Sequence, residues 1–378
     1  MTTKAIRPLA EYLAEIPDPR DPRGIRHPLV AILCLCCVAL MCGVKNPRAI
    51  AKWWKNRQEL GPFLPRLGFT KGCGPSQATL YRVLAKVTVE MLEAMLQEWA
   101  EDNLTDLPPA EDEKEPVSLD GKTLRGSKKQ GATDSHLLSA FSQRLGVTLK
   151  QLGVNDKTNE IGAMPELLAD LLIEGRVFTM DALHTQRETA QTIIDGGGDY
   201  VMQVKGNQPT LEANIVALFT RPDVAAWVDD CNVTMSRGHG RIETRTLRAS
   251  SALRDMLDWP GQQQVFSIER RTIYVKTGEV REETAYGVTS LDPDRADAAK
   301  LQSLVQGQWS IENRSHYVRD VTFGEDKSQV RNGYLPQVMA ALRNVVISLL
   351  RLLGFQLIPD AFDYFATHSL EALATIGC

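Results

Sequence analysis

Apolar and polar positions along this chain follow two different periods. Up to about residue 102 the period is helical. KAIRPLAEYLAEI (4–16) makes a short amphipathic opening. LVAILCLCCVALMCGV, Leu29 to Val44, is apolar on every side, which predicts a helix buried all round. Asn46-Pro47 reads as the N-cap and first-turn proline of a helix over RAIAKWWKNRQEL. GPFLPRLGFTKGCGPS is a loop whose Ser76 caps one long predicted helix reaching Leu104. Leu80, Val83, Leu84 and Val87 share one stripe of it, and Arg82 and Lys86, four apart, share an exposed face. Helices and turns in this order fit a helix-turn-helix-like DNA reader or a plain bundle.

Pro108-Pro109 inside NLTDLPPAEDEKEP (103–116) breaks the pattern. After it the period shortens to that of strands. PVSLDGKTL is one strand, and HLLSAFSQR and VTLKQLGVND form a hairpin through Arg144-Leu145-Gly146. Strands RVFTMDAL and DYVMQVKG then alternate with helices PELLADLLIEG, TQRETAQTIIDGG and QPTLEANIVALF. Three strands without crossover helices, followed by αβαβα, predict a mixed α/β sheet rather than a Rossmann repeat. From about 230 to 290 half-exposed strands return. A helical period resumes from Asp294 through WSIENRSHYVRDV, and a final helix spans 335–354.

The hydrophobic fraction of 43% and charged fraction of 24% are those of a globular chain, and exclude a disordered, collagen-like or polytopic membrane protein. The longest apolar run falls short of the ~20 residues that span a bilayer, and no signal peptide is expected. Cys34, Cys36, Cys37 and Cys42 sit inside that run. Cys34 and Cys37 form a C-x-x-C with no second pair, so reduced, buried thiols and a cytoplasmic setting are expected. The net charge of −4 hides an asymmetry: residues 1–90 carry fourteen Lys/Arg against six Asp/Glu, and 101–116 carry seven acids and one lysine. The basic head suits a phosphate backbone or a solvated helical face. No G-x-G-x-x-G opens a helix and no G-x-x-x-x-G-K-[ST] occurs, which sets aside dinucleotide and P-loop nucleotide binding.

Two acids stand where strands end: Asp120 after PVSL and Asp181 after VFTM. A lone acid there is a turn former. Two on neighbouring strands repel unless a divalent cation lies between them. Glu312, in WSIENRSHYVRD, is a third. Three carboxylates of this kind are what two-metal phosphoryl transfer requires, with metals ~3.5–4 Å apart.

SLDGKTLRGS (118–127), KTNEIGAMPELL (157–168), FTMDALHTQ (178–186), DYVMQVKGNQ (199–208) and WSIENRSHYVRDVTFGED (309–326) resemble the H-repeat-associated, ISAs-type insertion-sequence transposases, a branch of the DDE transposases. DPRDPRGIRHPL (18–29) and PSQATLYRVL (75–84) resemble the N-terminal domain associated with that family. The resemblance covers nearly the whole chain. It departs at Gln306, Gln308 and Tyr317, where Arg, His and Trp are expected; none of these is an acid.

The resemblance implies an RNase H-like mixed sheet core with a β-rich insertion at about 225–290. The core spans 117–378, behind an all-helical DNA-binding domain (1–102) and an acidic linker (103–116). The insertion fits the 131 residues from Asp181 to Glu312, against 61 from Asp120 to Asp181. The catalytic and metal-binding acids carry over as Asp120, Asp181 and Glu312. Two Mg²⁺ ions are implied, with Mn²⁺ as substitute. The activity implied is cleavage at insertion-sequence ends, then attack of the freed 3′-OH on target DNA, without a covalent enzyme–DNA intermediate. The implied partners are double-stranded DNA (terminal inverted repeats and target) and a second copy of the chain, in the bacterial cytoplasm at the nucleoid, with no membrane. Lys122, Arg125, Lys205, His316 and Arg319, with Arg82 and Lys86 of the head, are the expected DNA contacts. Arg319 fills a basic position seven residues after the Glu. His184, Gln186, Glu160, His239 and Arg241 are further candidates. The rival readings are an RNase H-like nuclease without strand transfer and a domesticated DNA-binding regulator.

Overall fold

The computed structural model describes residues 6–57, 61–62, 64–69, 72–105, 114–124, 135–154, 160–328 and 330–378. The N-terminal helices are α1 (Leu9–Ala14), α2 (Leu29–Met41), α3 (Pro47–Lys55), α4 (Gln77–Leu84) and α5 (Val89–Thr105). Strands β1 (Glu115–Leu124), β2 (Ser135–Ser142) and β3 (Val147–Val154) follow. Then come α6 (Glu160–Ala169), β4 (Arg176–Met180), α7 (Arg187–Asp195), β5 (Asp199–Val204) and α8 (Pro209–Phe219). Four strands, β6 (Asp230–Gly238), β7 (Arg241–Ser250), β8 (Gln264–Tyr274) and β9 (Val280–Thr289), precede α9 (Ala298–Gly307). α10 (Trp309–Ile311) continues as two π-helical turns, Glu312–His316 and Val318–Thr322. The chain ends in α11 (Leu335–Leu352), α12 (Ile358–Thr367) and α13 (Ser369–Thr375).

Local chemistry explains most of these bounds. Asn46 caps α3 by accepting from the Ala49 amide at 2.9 Å, with Pro47 in the first turn. Ser76 caps α4 through the Thr79 amide at 3.2 Å. The expected single helix from Ser76 to Leu104 is instead two, α4 and α5, broken at 85–88. The β-branched run Val87-Thr88-Val89 is a poor helix former, and the apolar stripe across it conceals the break. The link from α4 to α5 is four residues, short enough for a helix-turn-helix, whereas α3 and α4 are joined by residues 56 to 76.

The chain forms two compact units that cut across the expected boundary near residue 102. The first unit takes the N-terminal helices, β1 beyond Asp120, β2, β3 and the chain from Ile311 onward. In it α2, α5 and β3 pack on α11. Every residue of α2 except Val30 is buried, and its cysteines are free and enclosed, as the uniform apolar run predicts. Burial pushes the Cys36 thiol up to about 12. α11 is apolar and long enough to cross a membrane, yet 78% of it is buried inside the protein, the mark of a core helix.

The second unit takes β1 up to Asp120 and the chain from Glu160 to Ser310. β1, β4 and β5 are parallel, and β9 joins β5 antiparallel. The strand order is β3-β2-β1-β4-β5-β9-β8-β7-β6, the RNase H-like mixed sheet with its β insertion. The insertion extends the core sheet rather than standing apart, because Val201–Val204 pair with Tyr286–Thr289. Val177, Val201, Leu247, Phe266, Leu301 and Leu304 close the core beneath it.

Candidate active site

In the second unit Leu119 and Met180 are paired neighbours on the parallel strands β1 and β4. Asp120 and Asp181 each lie one residue further on, side by side and half-buried. Asp181 follows the end of β4, but Asp120 lies inside β1, which runs on to Leu124 beyond its pairing with β4; Gln308, at the C-terminal end of α9, ties the two strands together at that point. Its Nε2 donates to the Leu119 carbonyl at 2.9 Å, and its Oε1 accepts from the Thr179 hydroxyl at 2.5 Å. Gln308 is itself buried. Its role in holding two strands rests on tertiary contacts that no spacing shows.

Asp181 opens a tight loop. Its Oδ1 accepts from the His184 amide at 3.3 Å, and its carbonyl accepts from the Thr185 hydroxyl at 3.0 Å. The buried His184 ring lies 3.6 Å from Glu160 at the start of α6. Burial lowers the His184 pKa, against the charges of Asp181 and Glu160. Asn207 and Gln208 do not cap α8; their side-chain amides donate to Ala182 and Thr185 carbonyls and so brace the same loop. Lys205 is exposed just past the end of β5, on the same strand-end rim. Asp199, at the opposite end of β5, bonds Lys114, Arg295 and Ser290 and is structural.

In the first unit Glu312 keeps 54% of its side chain exposed and accepts from Nδ1 of His316 at 3.1 Å. That bond, reinforced by the charge of Lys122, holds the Glu312 carboxyl below its ordinary range. His316 is buried, and burial lowers its pKa. Lys122 is 7% exposed, and its Nζ bonds both carboxylate oxygens of Asp320 at 2.5 Å. In this conformation neither His316 nor Lys122 is presented as an open DNA contact.

Arg319 is the clearest correction. It is 0% exposed and bonds Glu325 at 2.7 Å and the Gln151 amide oxygen at 3.0 Å. Arg343 bonds the other Glu325 oxygen at 2.7 Å. At 3.6 residues per turn, positions 312 and 319 would share one helical face. The wider turns from Glu312 to Thr322 rotate the residue seven positions on away from that face and into the core. Arg82 and Lys86 are exposed, and Arg82 Nε donates only to the Ala78 carbonyl at 3.2 Å. His239 and Arg241 are exposed at the β6–β7 turn. Arg125 lies outside the described residues.

Asp120 and Asp181 offer oxygen donors only, the set that suits a hard divalent cation. No basic side chain bonds Asp181 among the described residues, unlike Asp199.

Comparisons with known proteins identify the family. The family model described as DDE_Tnp_1-associated matches residues 10–100, and the one described as Transposase DDE domain matches 111–349. A putative transposase YncI of Escherichia coli O157:H7 is 30% identical over 362 residues, 92% of this chain and 88% of that protein. The H repeat-associated putative transposase YhhI of Escherichia coli K12 is 28% identical over 359 residues, 91% of this chain and 90% of that protein. A piggyBac transposase synaptic complex with hairpin DNA is similar at a TM-score of 0.48 and 10% identity, covering 97% of this chain and 78% of that one. The Transposase DDE domain model spans well over half of the chain, which therefore belongs to the DDE-domain transposases.

Proposed function

We propose that this transposase cuts DNA at the ends of an insertion sequence and joins the freed 3′-OH to target DNA. The observation that carries the reading is the pair of half-buried acids on neighbouring parallel strands, Asp120 and Asp181, within the matched DDE domain. Asp120, Asp181 and Glu312 are the three acids of the reaction and the ligands of divalent metal, Mg²⁺ by preference. The metal supplies charge stabilisation for the attacking and leaving oxygens.

The chain's own groups hold that centre in place. Gln308 ties β1 to β4 beside the two acids, and the Asn207 and Gln208 amides fix the loop after Asp181. Lys205 on the strand-end rim grips a backbone phosphate, and the exposed face with Arg82 and Lys86 takes up further DNA. Water and then a DNA 3′-OH attack in line, so no side-chain nucleophile is used. Two copies of the chain bridge the two element ends in the bacterial cytoplasm.

The test is a plasmid carrying the gene with its native flanks, incubated with the protein and Mg²⁺ or Mn²⁺. Wild type should nick at the element ends and join them to new DNA. Asp181→Ala should lose both by about a thousandfold or more, the several kcal/mol a metal centre supplies. Scattered cuts that never join would replace the reading with a nuclease. Binding without any cut would replace it with a regulator.

A further inference from the structure

The arginine-rich segment DPRDPRGIRH, Asp18 to His27, plays no part in the chemistry above. It forms one wall of a groove of about 700 Å³ whose other wall is α4 and the residues on either side of it. Arg20 and Arg26 come from the loop, and Ser76, Thr79, Arg82 and Lys86 from the helix side.

The loop is stitched into shape by its own charges. Asp18 takes both edges of Arg20, with Nε at 2.7 Å and Nη2 at 2.5 Å, and Arg20 also donates to the His27 carbonyl at 2.7 Å. The Arg20 guanidinium holds the Asp18 carboxyl below its ordinary range. His27 packs edge-on against Phe69, with ring centroids 5.5 Å apart. Asp21 accepts from the Arg23 amide at 2.9 Å, which turns the chain. The wall is therefore a fixed shape.

Arg26, Arg82 and Lys86 differ from Arg20 in the same lining, which Asp18 already holds. All three are exposed, and none bonds a carboxylate among the described residues. Arg82 lies in the last turn of α4 and Lys86 in the turn just past its end, and both line the groove with Arg26. The Ser76 and Thr79 hydroxyls, 2.9 Å from each other, add donors at the same rim. Val83 and Pro19 are the apolar side chains of the lining, which contains no aromatic ring other than that of His27. Apart from the Asp21 carboxylate, which accepts from the Arg23 amide, the groove offers positive charge and hydrogen-bond donors, with no surface on which bases stack. That chemistry fits a phosphodiester backbone.

We infer that this groove is a duplex-backbone clamp, in which Arg26 and the Arg82–Lys86 pair hold DNA phosphates without reading sequence. The inference rests on the reading that the protein acts on DNA, and it adds the arginine-rich loop to the contact surface.

The experiment measures binding of a fluorescent duplex of random sequence to the full chain in EDTA, between 50 and 300 mM NaCl. It is repeated with R26A/R82A/K86A. Each phosphate contact adds about 0.9 to the slope of log K against log salt. The triple variant should bind at least tenfold more weakly at the lowest salt, with a slope shallower by about 2 to 3. R26K/R82K/K86R, which keeps every charge, should restore most of the slope, while circular dichroism melting checks that each variant is folded. Equal slopes for wild type and R26A/R82A/K86A would overturn the clamp. So would stoichiometric binding of inorganic phosphate in calorimetry that the triple variant loses without a change in DNA affinity. Because cleavage is not measured, failure here faults the groove alone, and failure of the plasmid assay with an intact slope faults the catalytic reading alone.

Discussion

Arg319 and Arg343 on one side, and Arg26, Arg82 and Lys86 on the other, are similar cations in two environments of the first unit. The first pair is buried and converges on the two oxygens of Glu325. Gln151 and Asn344 accept from Nη1 of Arg319, and the Lys45 carbonyl takes a further bond from Arg343. The second set is exposed and unpaired with any carboxylate among the described residues. A cation's position in the sequence identifies it as basic. Whether it is available to a polyanion depends on whether a carboxylate has already claimed it. For a buried guanidinium, giving up its partner leaves an uncompensated charge in a poor solvent, whereas an exposed one exchanges only water and counterions.

The largest expected effect comes from breaking the buried set. Glu325→Ala leaves two enclosed guanidiniums facing each other and should cost about 3–5 kcal/mol, lowering the thermal midpoint by on the order of 10 °C. Replacing Arg319, Glu325 and Arg343 together by Met, Leu and Met should return most of that loss, since it removes the charges along with their desolvation cost. Calorimetry of both variants checks the pair. If Glu325→Ala melts with wild type, the network is not the anchor described here.

The same distinction explains what the sequence revealed. α2 was legible because its apolar run has no polar face, and α3 and α4 because Asn46 and Ser76 are local caps. Asp181 was legible as an acid directly after an apolar strand; Asp120 follows the apolar PVSL but lies within β1, and the parallel pairing of β1 with β4 sets the two side by side. Arg319 was misread because the Glu312–His316 contact survives in a wider turn, so the helical pattern looks intact until the next turn carries Arg319 inward. The bonds of Gln308 to Leu119 and Thr179 span some 130 to 190 residues of chain, where no pattern of neighbours reaches. The break between α4 and α5 was hidden by an apolar stripe that runs unchanged through Val87.

A smaller effect sharpens the comparison at the rim of the buried network. Glu93 on α5 accepts from the Gln151 amide at 2.6 Å, and Gln151 in turn accepts from Arg319. Burial pushes the Glu93 carboxyl up to about 8, against the Gln151 bond and the Arg319 charge. In the unfolded chain the group ionises near 4.3. Between these values the folded state holds the extra proton, so Glu93's contribution to stability is highest below about 4.3 and falls as pH rises toward 8. Glu93→Gln keeps the acceptor and removes the titration. It should melt with wild type at pH 4 and a few degrees above it at pH 8.5, on the order of 1–2 kcal/mol. Thermal melts at the two pH values decide it; an equal gap at both would mean that burial does not raise the Glu93 carboxyl above its unfolded value.

The smallest effect on stability belongs to Arg82→Ala in the groove. The guanidinium gives up one bond, to the Ala78 carbonyl of its own helix, and no carboxylate is stranded. Alanine is also the better helix former, so the melting free energy should stay within about 0.5 kcal/mol of wild type. Binding should nevertheless change. One lost phosphate contact lowers the slope of log K against log salt by about 0.9. Arg319→Ala should do the reverse: it destabilises the fold, and at a temperature where the variant remains folded its salt slope stays that of wild type. Duplex binding across the salt series, with thermal melts of both variants, tests this double contrast. If Arg319→Ala shifts the slope while Arg82→Ala does not, burial does not decide which cations meet DNA, and the assignment of the two sets must be exchanged.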